Sequence, residues 1–216
     1  AGLTLITGVL GAIAQTEIRR LFSFLIISHI GYMLMGLGLF TVMGLAGGIY
    51  YLIHDITAKT NLFLISGVMN RVGGSYDLRR LGGMYHSYPV IAAAFGVTAL
   101  ALVGIPPFSG FFPKVALVRA GVELDTHWIV IVAVLVSFLT LVALARVWSQ
   151  AFLRPVPERS ESASSDPDEK ELEPTSAPAM LTLLTPIVAL ALFTTALGLG
   201  AGFVFSLSFD AAEQLM

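Results

Sequence analysis

Four stretches without a single Asp, Glu, Lys or Arg set the terms for this chain. They run from Leu21 to His54, from Leu81 to Pro113, from Thr126 to Ala145 and from Pro174 to Phe209. A helix crosses the hydrocarbon core of a bilayer with about 20 predominantly apolar residues, and each run reaches that length. Charged residues make up 12% of the chain and hydrophobic ones 56%, whereas soluble domains hold about 25% charged residues. Too few polar side chains remain to cover a water-soluble core. The expected fold is therefore all-α: a polytopic transmembrane bundle of about six spans.

Corners and helix breakers place the spans. The first helix covers about 1–15. The second follows the polar corner Thr16-Glu17-Ile18-Arg19-Arg20 and runs to Thr41, and the third covers Leu45 to Asn70. After a polar loop from Arg71 to Ser87 comes a region from Tyr88 to Gly121, too long for one straight span. Gly104-Ile105-Pro106-Pro107 lies in its middle, and prolines remove backbone donors and break helices. The fifth helix covers His127 to Phe152 and the sixth Pro178 to Ser208. Between them, the Pro-, Ser-, Glu- and Asp-rich segment from Arg154 to Ala177 has too little apolar surface to offset its ordering entropy. The chain thus divides into transmembrane helices with a polar path (1–153), a flexible cytoplasmic loop (154–177), and a last helix with an outward-facing tail (178–216). The first helix falls short of a full span, which predicts a chain that begins within a span and lacks an N-terminal portion.

Arg19, Arg20, Arg71, Arg79, Arg80, Arg146, Arg154 and Arg159 all fall at corners on one side. Short loops rich in Lys and Arg face the cytoplasm, so the C-terminus, with Asp210 and Glu213, is expected outside a multi-pass protein of the plasma membrane. The absence of cysteine removes disulfides, thiolate nucleophiles and Cys-ligated metals. A net charge of -2 gives no reason to expect nucleic acid. The glycines at 44–48 and 198–202 are not followed by the Lys-Ser/Thr of a phosphate loop and read as close helix packing. No metal and no cofactor is expected.

Ionisable groups inside a span cost about 2.5–3.5 kcal/mol each on insertion scales and are functional candidates for that reason. The third helix carries His54, Asp55 and Lys59. Helical spacing puts Tyr50, His54, Thr57 and Asn61 on one stripe, while Asp55 and Lys59, one turn apart on the next, are placed to pair. This polar face reads as a wet proton path in which Lys59 takes up and releases a proton, His54 relays it and Asp55 tunes Lys59. An ion pair that only fixes helix packing is the competing reading. Lys114 follows the predicted break and is the only Lys or Arg between Arg80 and Arg119. A restart near Pro107 would put it about two turns into the second half. Irregular backbone at membrane depth occurs where it is buried in protein or lines a cavity, and discontinuous helices mark ion sites in transporters. A lysine snorkelling to the interface is the alternative. Burial in a low dielectric brings the neutral amine within reach, which is what a proton carrier needs. His29, in Ser28-His29-Ile30-Gly31-Tyr32, is either a relay or the donor of an interhelical hydrogen bond.

These residues resemble the antiporter-like family of proton-translocating subunits, which comprises three membrane subunits of NADH-quinone oxidoreductase and the large subunits of Mrp-type cation/proton antiporters. The similar pieces are Gln15-Thr16-Glu17-Ile18-Arg19-Arg20-Leu21, Ser28-His29-Ile30-Gly31-Tyr32-Met33, His54 to Gly67, and Gly104 to Lys114. Within the family, His54-Asp55-Ile56 followed by Lys59-Thr60-Asn61-Leu62-Phe63-Leu64 is most similar to the D subunits of the Mrp type. The resemblance implies a fold of fourteen spans with two inverted repeats of five, of which this chain would supply spans nine to fourteen. It implies that Lys114 ends a proton path and that His54 and Lys59 belong to it. It further implies exchange of Na+ for H+ by a secondary transporter rather than an enzyme, in a complex with other membrane subunits. Pro113 departs from the family's more frequent Gly, and Arg19 from its frequent Lys. A pump subunit of the redox complex or a related membrane hydrogenase, and a non-conducting structural subunit, are the alternatives.

Overall fold

The computed structural model describes residues 1–155 and 177–216. Nine helices occur among them: α1 (Gly2–Ala14), α2 (Ile18–Leu39), α3 (Val42–Gly73), the short α4 (Met84–Ser87), α5 (Pro89–Val103), α6 (Phe111–Glu123), α7 (His127–Trp148), α8 (Ala177–Leu199) and α9 (Ala201–Glu213). A π-turn over Ser149–Leu153 extends α7. The only strand-like pairing among the described residues is an isolated bridge between Glu17 and Asp77. Three helices are long and apolar enough to cross a membrane by themselves: α2, α7 continued to Leu153, and α8 from Met180. The 32-residue α3 is longer still, roughly 48 Å at 1.5 Å per residue, and carries the buried polar groups. The chain is a polytopic helical membrane bundle, and most of the predicted 154–177 loop lies outside the described residues.

Small residues and borrowed backbone partners set the corners. A Cβ on Gly8 would run into the backbone of Ser28, 2.5 Å from its Cα, so only glycine lets α1 and α2 cross this closely. Ser28 Oγ donates across that crossing to Leu5 O at 2.8 Å. At the start of α2, Ile18 N donates to Tyr76 O and Leu78 N to Thr16 O. Arg146 Nη1 donates to Ile13 O at 2.7 Å, supplying a cation and a donor to the carbonyl end of α1. Gly83 N donates to Arg154 O. These contacts gather the corners bearing Arg19, Arg20, Arg79, Arg80 and Arg154 at one end of the bundle. There the Arg79 guanidinium and backbone N–H both donate to Asp77 and hold its carboxyl below the usual carboxylate range. At the opposite end, Thr41 Oγ1 caps α3 by accepting from Gly44 N at 3.0 Å.

One core runs through the bundle, from Leu5 and Leu25 past Leu62 and Ile65 to Phe95, Val147 and Phe152. The outward faces stay apolar, with Ile131 66% and Phe138 60% exposed on α7. Side chains of that kind suit lipid or neighbouring spans, not water.

The predicted break in the fourth region is present. The α5 helix ends at Gly104, in the left-handed region with φ 88°, where glycine adds no Cβ penalty. Turns closed by Phe108 N to Ile105 O and Phe111 N to Phe108 O carry the chain to α6. The restart at Phe111 corrects one expectation: Lys114 sits in the first turn of α6, not two turns in. A second correction concerns the last span, expected as one helix, which divides into α8 and α9 at Gly200. Packing shows why. A Cβ on Gly198 would strike Pro107 O and lie 2.7 Å from Ser109 N, and Tyr50 Oη donates to Leu197 O at 2.7 Å. α8 thus ends against the α5–α6 break, while α9 lies along α3 through Leu45, Ala46, Ala212 and Phe209.

Candidate functional site

The buried polar groups of α2, α3 and α6 form two neighbouring sets, His29, Asp55 and Lys59 between α2 and α3, and His54 and Lys114 at the α5–α6 break. Lys59 is 6% and Lys114 8% exposed, and both histidines, His29 and His54, are fully buried. Each lysine is held differently. Lys59 Nζ lies 3.2 Å from Asp55 Oδ1, one helical turn away, and donates to Leu25 O of α2 at 2.8 Å. Lys114 Nζ donates to Leu102 O at 2.8 Å and to Val103 O at 2.9 Å. Those carbonyls belong to the last turn of α5, where no further helical N–H reaches them, and they carry the negative end of that helix's dipole. Among the described residues, no carboxylate lies within ion-pair distance of Lys114. Prolines end α5, the end exposes two carbonyls, and Lys114 in the first turn of α6 satisfies them. Its ammonium turns inward to these oxygens, unlike that of a snorkelling lysine.

Asp55 joins two helices. Its Oδ1 takes His29 Nδ1 at 2.9 Å as well as Lys59. A carboxylate only accepts, so with Asp55 ionised His29 carries its proton on Nδ1. Tyr51 Oη stands 3.1 Å from the same nitrogen. His54 Nδ1 pairs with Ser109 Oγ, a residue of the break itself, at 2.7 Å. Among the described residues, Nε2 of both His29 and His54 lacks a hydrogen-bond partner. The break brings His54 and Lys114 to one turn of backbone: a Cβ on Gly110 would sit 2.8 Å from His54 Nε2, and one on Gly104 would sit 2.9 Å from Lys114 Cδ. Asp55 and Lys59 also line a groove of about 510 Å³ that opens on the outer face of α2 and α3 beside Ile26 and Phe63.

Residues 1–140 match the family model described as NADH:quinone oxidoreductase/Mrp antiporter, TM. The chain belongs to this family. It is 38% identical over all of its 216 residues to the D subunit of the Na(+)/H(+) antiporter of Alkalihalophilus pseudofirmus, and spans 41% of that protein. The corresponding D subunit of Bacillus subtilis is 32% identical over the same residues, with 41% of its length covered. Among solved structures, the Mrp complex from Dietzia sp. DQ12-45-1b superposes with a TM-score of 0.82 at 33% identity, over 98% of this chain and 45% of that one. Respiratory complex I from Thermus thermophilus superposes with a TM-score of 0.80 at 21% identity, over 100% of this chain and 43% of that one, a likeness of fold. The chain therefore spans less than half the length of the relatives it matches.

The helix break brings His54 and Lys114 together, while Asp55, Lys59 and His29 meet in a cluster between α2 and α3. Asp55 and Lys59 pair as their spacing indicates. His29 is the interhelical partner of Asp55, which also puts it in direct contact with the cluster. His54 bonds the break and not Lys59. Thr57 donates to Ile53 O of its own helix at 2.9 Å, so its hydroxyl does not link the other members. Asn61 lies on the expected stripe and donates through Nδ2 to Thr98 Oγ1 of α5 at 2.8 Å. Tyr32, Tyr51 and Ser109 escaped functional assignment. Ser109 and Tyr32 stand inside the motifs that carry the resemblance, and Tyr51 is i−4 to Asp55. The carbonyls of Leu25, Leu102 and Val103 have no side-chain signature to find.

Proposed function

We propose that this chain forms part of a subunit of a multisubunit antiporter that exchanges Na+ for H+ across the plasma membrane. Lys59 and Lys114 carry the protons. The observation that supports this most is Lys114: a buried ammonium held by the two carbonyls of a broken helix, with no carboxylate beside it among the described residues. Carbonyls favour the cation by their dipoles without locking it in an ion pair, so a change of charge nearby is enough to load or unload it. Lys59 is the complementary site, because Asp55 stabilises its charged form. Movement of a cation or a second proton near Asp55 weakens that hold and releases the proton from Lys59. His54 stands at the break between the two lysines' helices, with Nδ1 on Ser109 and Nε2 beside Gly110. It passes a proton towards Lys114 through water at Nε2, while His29 orients Asp55 from α2.

The named relatives, the antiporter D subunits above, support the choice of exchanged ions and of membrane subunits as partners. The likeness of fold to respiratory complex I extends to a pump subunit of a redox complex; the 38% identity to an antiporter subunit favours the first reading. The gathering of arginines at one end supports a cytoplasmic placement of that end and a C-terminus outside.

Cation/proton exchange in inverted membrane vesicles tests the proposal. The full-length protein with Lys59→Ala or Lys114→Ala should reach the membrane at native abundance and lose exchange. Native exchange by both variants would overturn the assignment of carriers.

A further inference from the structure

Lys114 has a third neighbour besides the two carbonyls. Its Nζ stands 5.0 Å from the centroid of the Tyr32 ring. The ring is buried, with 1% of the residue exposed, and held from several sides. Its hydroxyl donates to Ala133 O of α7 at 2.7 Å and lies 2.8 Å from Ser137 Oγ. Tyr51 stacks on it, with centroids 4.9 Å apart and 28° between planes, and His29 meets it edge-on at 5.9 Å. A ring that is clamped at its hydroxyl, stacked and buried is fixed in place. An ammonium over the face of such a ring is attracted by its quadrupole, and more strongly where water is excluded.

We infer that Tyr32 is a positioning residue for Lys114: its π-face and the carbonyls of Leu102 and Val103 form a three-sided cradle for the ammonium. Two sides of the cradle are backbone, and no substitution removes them. The third is a side chain, and it senses charge through its π-system. The protonated amine is drawn to the ring. The neutral amine is not, and is free to swing away from α5 once its proton has left. The hydroxyl's bonds to α7 keep the ring in register. The stacked Tyr51, whose Oη meets the Asp55-bound nitrogen of His29, puts the Lys114 cradle and the Lys59–Asp55–His29 cluster on the two ends of one aromatic pair. The inference rests on Lys114 being a proton carrier and adds what holds it between transfers.

The test separates the ring's electrons from its bulk and its hydroxyl. In the full-length protein within its membrane complex, Tyr32 is replaced by Phe, by 3,4,5-trifluorophenylalanine and by Leu, and cation/proton exchange is measured at matched abundance. Phe keeps the π-face and should retain most of the exchange. Trifluorophenylalanine keeps the shape but drains the face. It should lower exchange, with Leu lower still, by a factor of roughly 2 to 30 from the usual strength of a buried cation–π contact. Equal exchange by the Phe and trifluoro variants would overturn the role of the π-face, as would a Phe variant as impaired as Leu. If Lys114→Ala is inactive while every Tyr32 variant is native, the cradle is wrong and the carrier stands. If Lys114→Ala itself exchanges normally, the carrier reading has failed.

Discussion

Replacing Ser109 with Ala should loosen the helix break that carries Lys114. Ser109 Oγ and His54 Nδ1 are 2.7 Å apart, and both residues are fully buried. Among the described residues, the other ring nitrogen of His54 already lacks a hydrogen-bond partner. Ala at position 109 therefore leaves the imidazole with neither nitrogen satisfied by a side chain, and stranding one buried polar group costs about 1–3 kcal/mol. At about 1.4 kcal/mol per tenfold, the docked arrangement of the break on α3 loses roughly 5- to 150-fold in population against undocked ones. Ser208→Ala is the matching control. That serine is also buried, but its hydroxyl only returns to Val204 O of its own helix at 2.8 Å, so its loss strands no other side chain and should cost less than Ser109→Ala. Residual folded protein after heating, followed by cation/proton exchange at the permissive temperature, measures both. Ser109→Ala should melt lower than the control and exchange more slowly. A Ser109→Ala variant that melts with the Ser208→Ala control would show that the His54–Ser109 bond does not hold the break.

Other expectations follow from single contacts. Gly198→Ala pushes a Cβ into the backbone of Pro107 to Ser109, and overpacking against rigid backbone should cost about 1–3 kcal/mol or more; native thermal stability would refute the packing of α8 on the break. Thr98→Val strips Asn61 Nδ2 of its acceptor at 2.8 Å and should destabilise by about 1–3 kcal/mol, whereas adding Asn61→Leu should recover part of that loss by removing the stranded amide. A double variant no more stable than Thr98→Val would contradict this. Glu213→Cys reports sidedness when read against the same protein without that substitution, because these 216 residues hold no cysteine of their own. A membrane-impermeant thiol reagent should label it on intact cells, and labelling only after permeabilisation would reverse the proposed orientation.

Much of this architecture is legible in the residues because bilayers leave few alternatives. The charge-free runs hold the apolar helices, the spans α2, α7 and α8 among them, and prolines at 106 and 107 follow the end of α5. The Asp55–Lys59 pair is equally readable, since one helical turn fixes it. What stays hidden depends on contacts between helices. His29 precedes Asp55 by 26 positions, and no local pattern ties them. Lys114 is held by backbone carbonyls, which any residues at 102 and 103 would offer. The restart of α6 at Phe111 depends on the turns from Ile105 to Gly110, whose hydrogen bonds do not appear in the residue types. Tyr32 and Tyr51 look like core aromatics, and their part in the site emerges only once α6 lays Lys114 beside them. The glycines at 198, 200 and 202 indicated close packing. The Gly198 contact bears that out, but the same cluster also breaks the last span.

If Lys114 changes its charge during transport, as proposed, Lys114→Arg is the variant that tests it most directly. Guanidinium keeps the positive charge and donates to carbonyls, yet does not deprotonate in proteins. Sodium-driven proton movement should be measured in inverted vesicles bearing the full-length variant at native abundance. Exchange at background, as for Lys114→Ala, is the expected result; exchange at the native rate would mean that a fixed charge suffices and that Lys114 carries no proton.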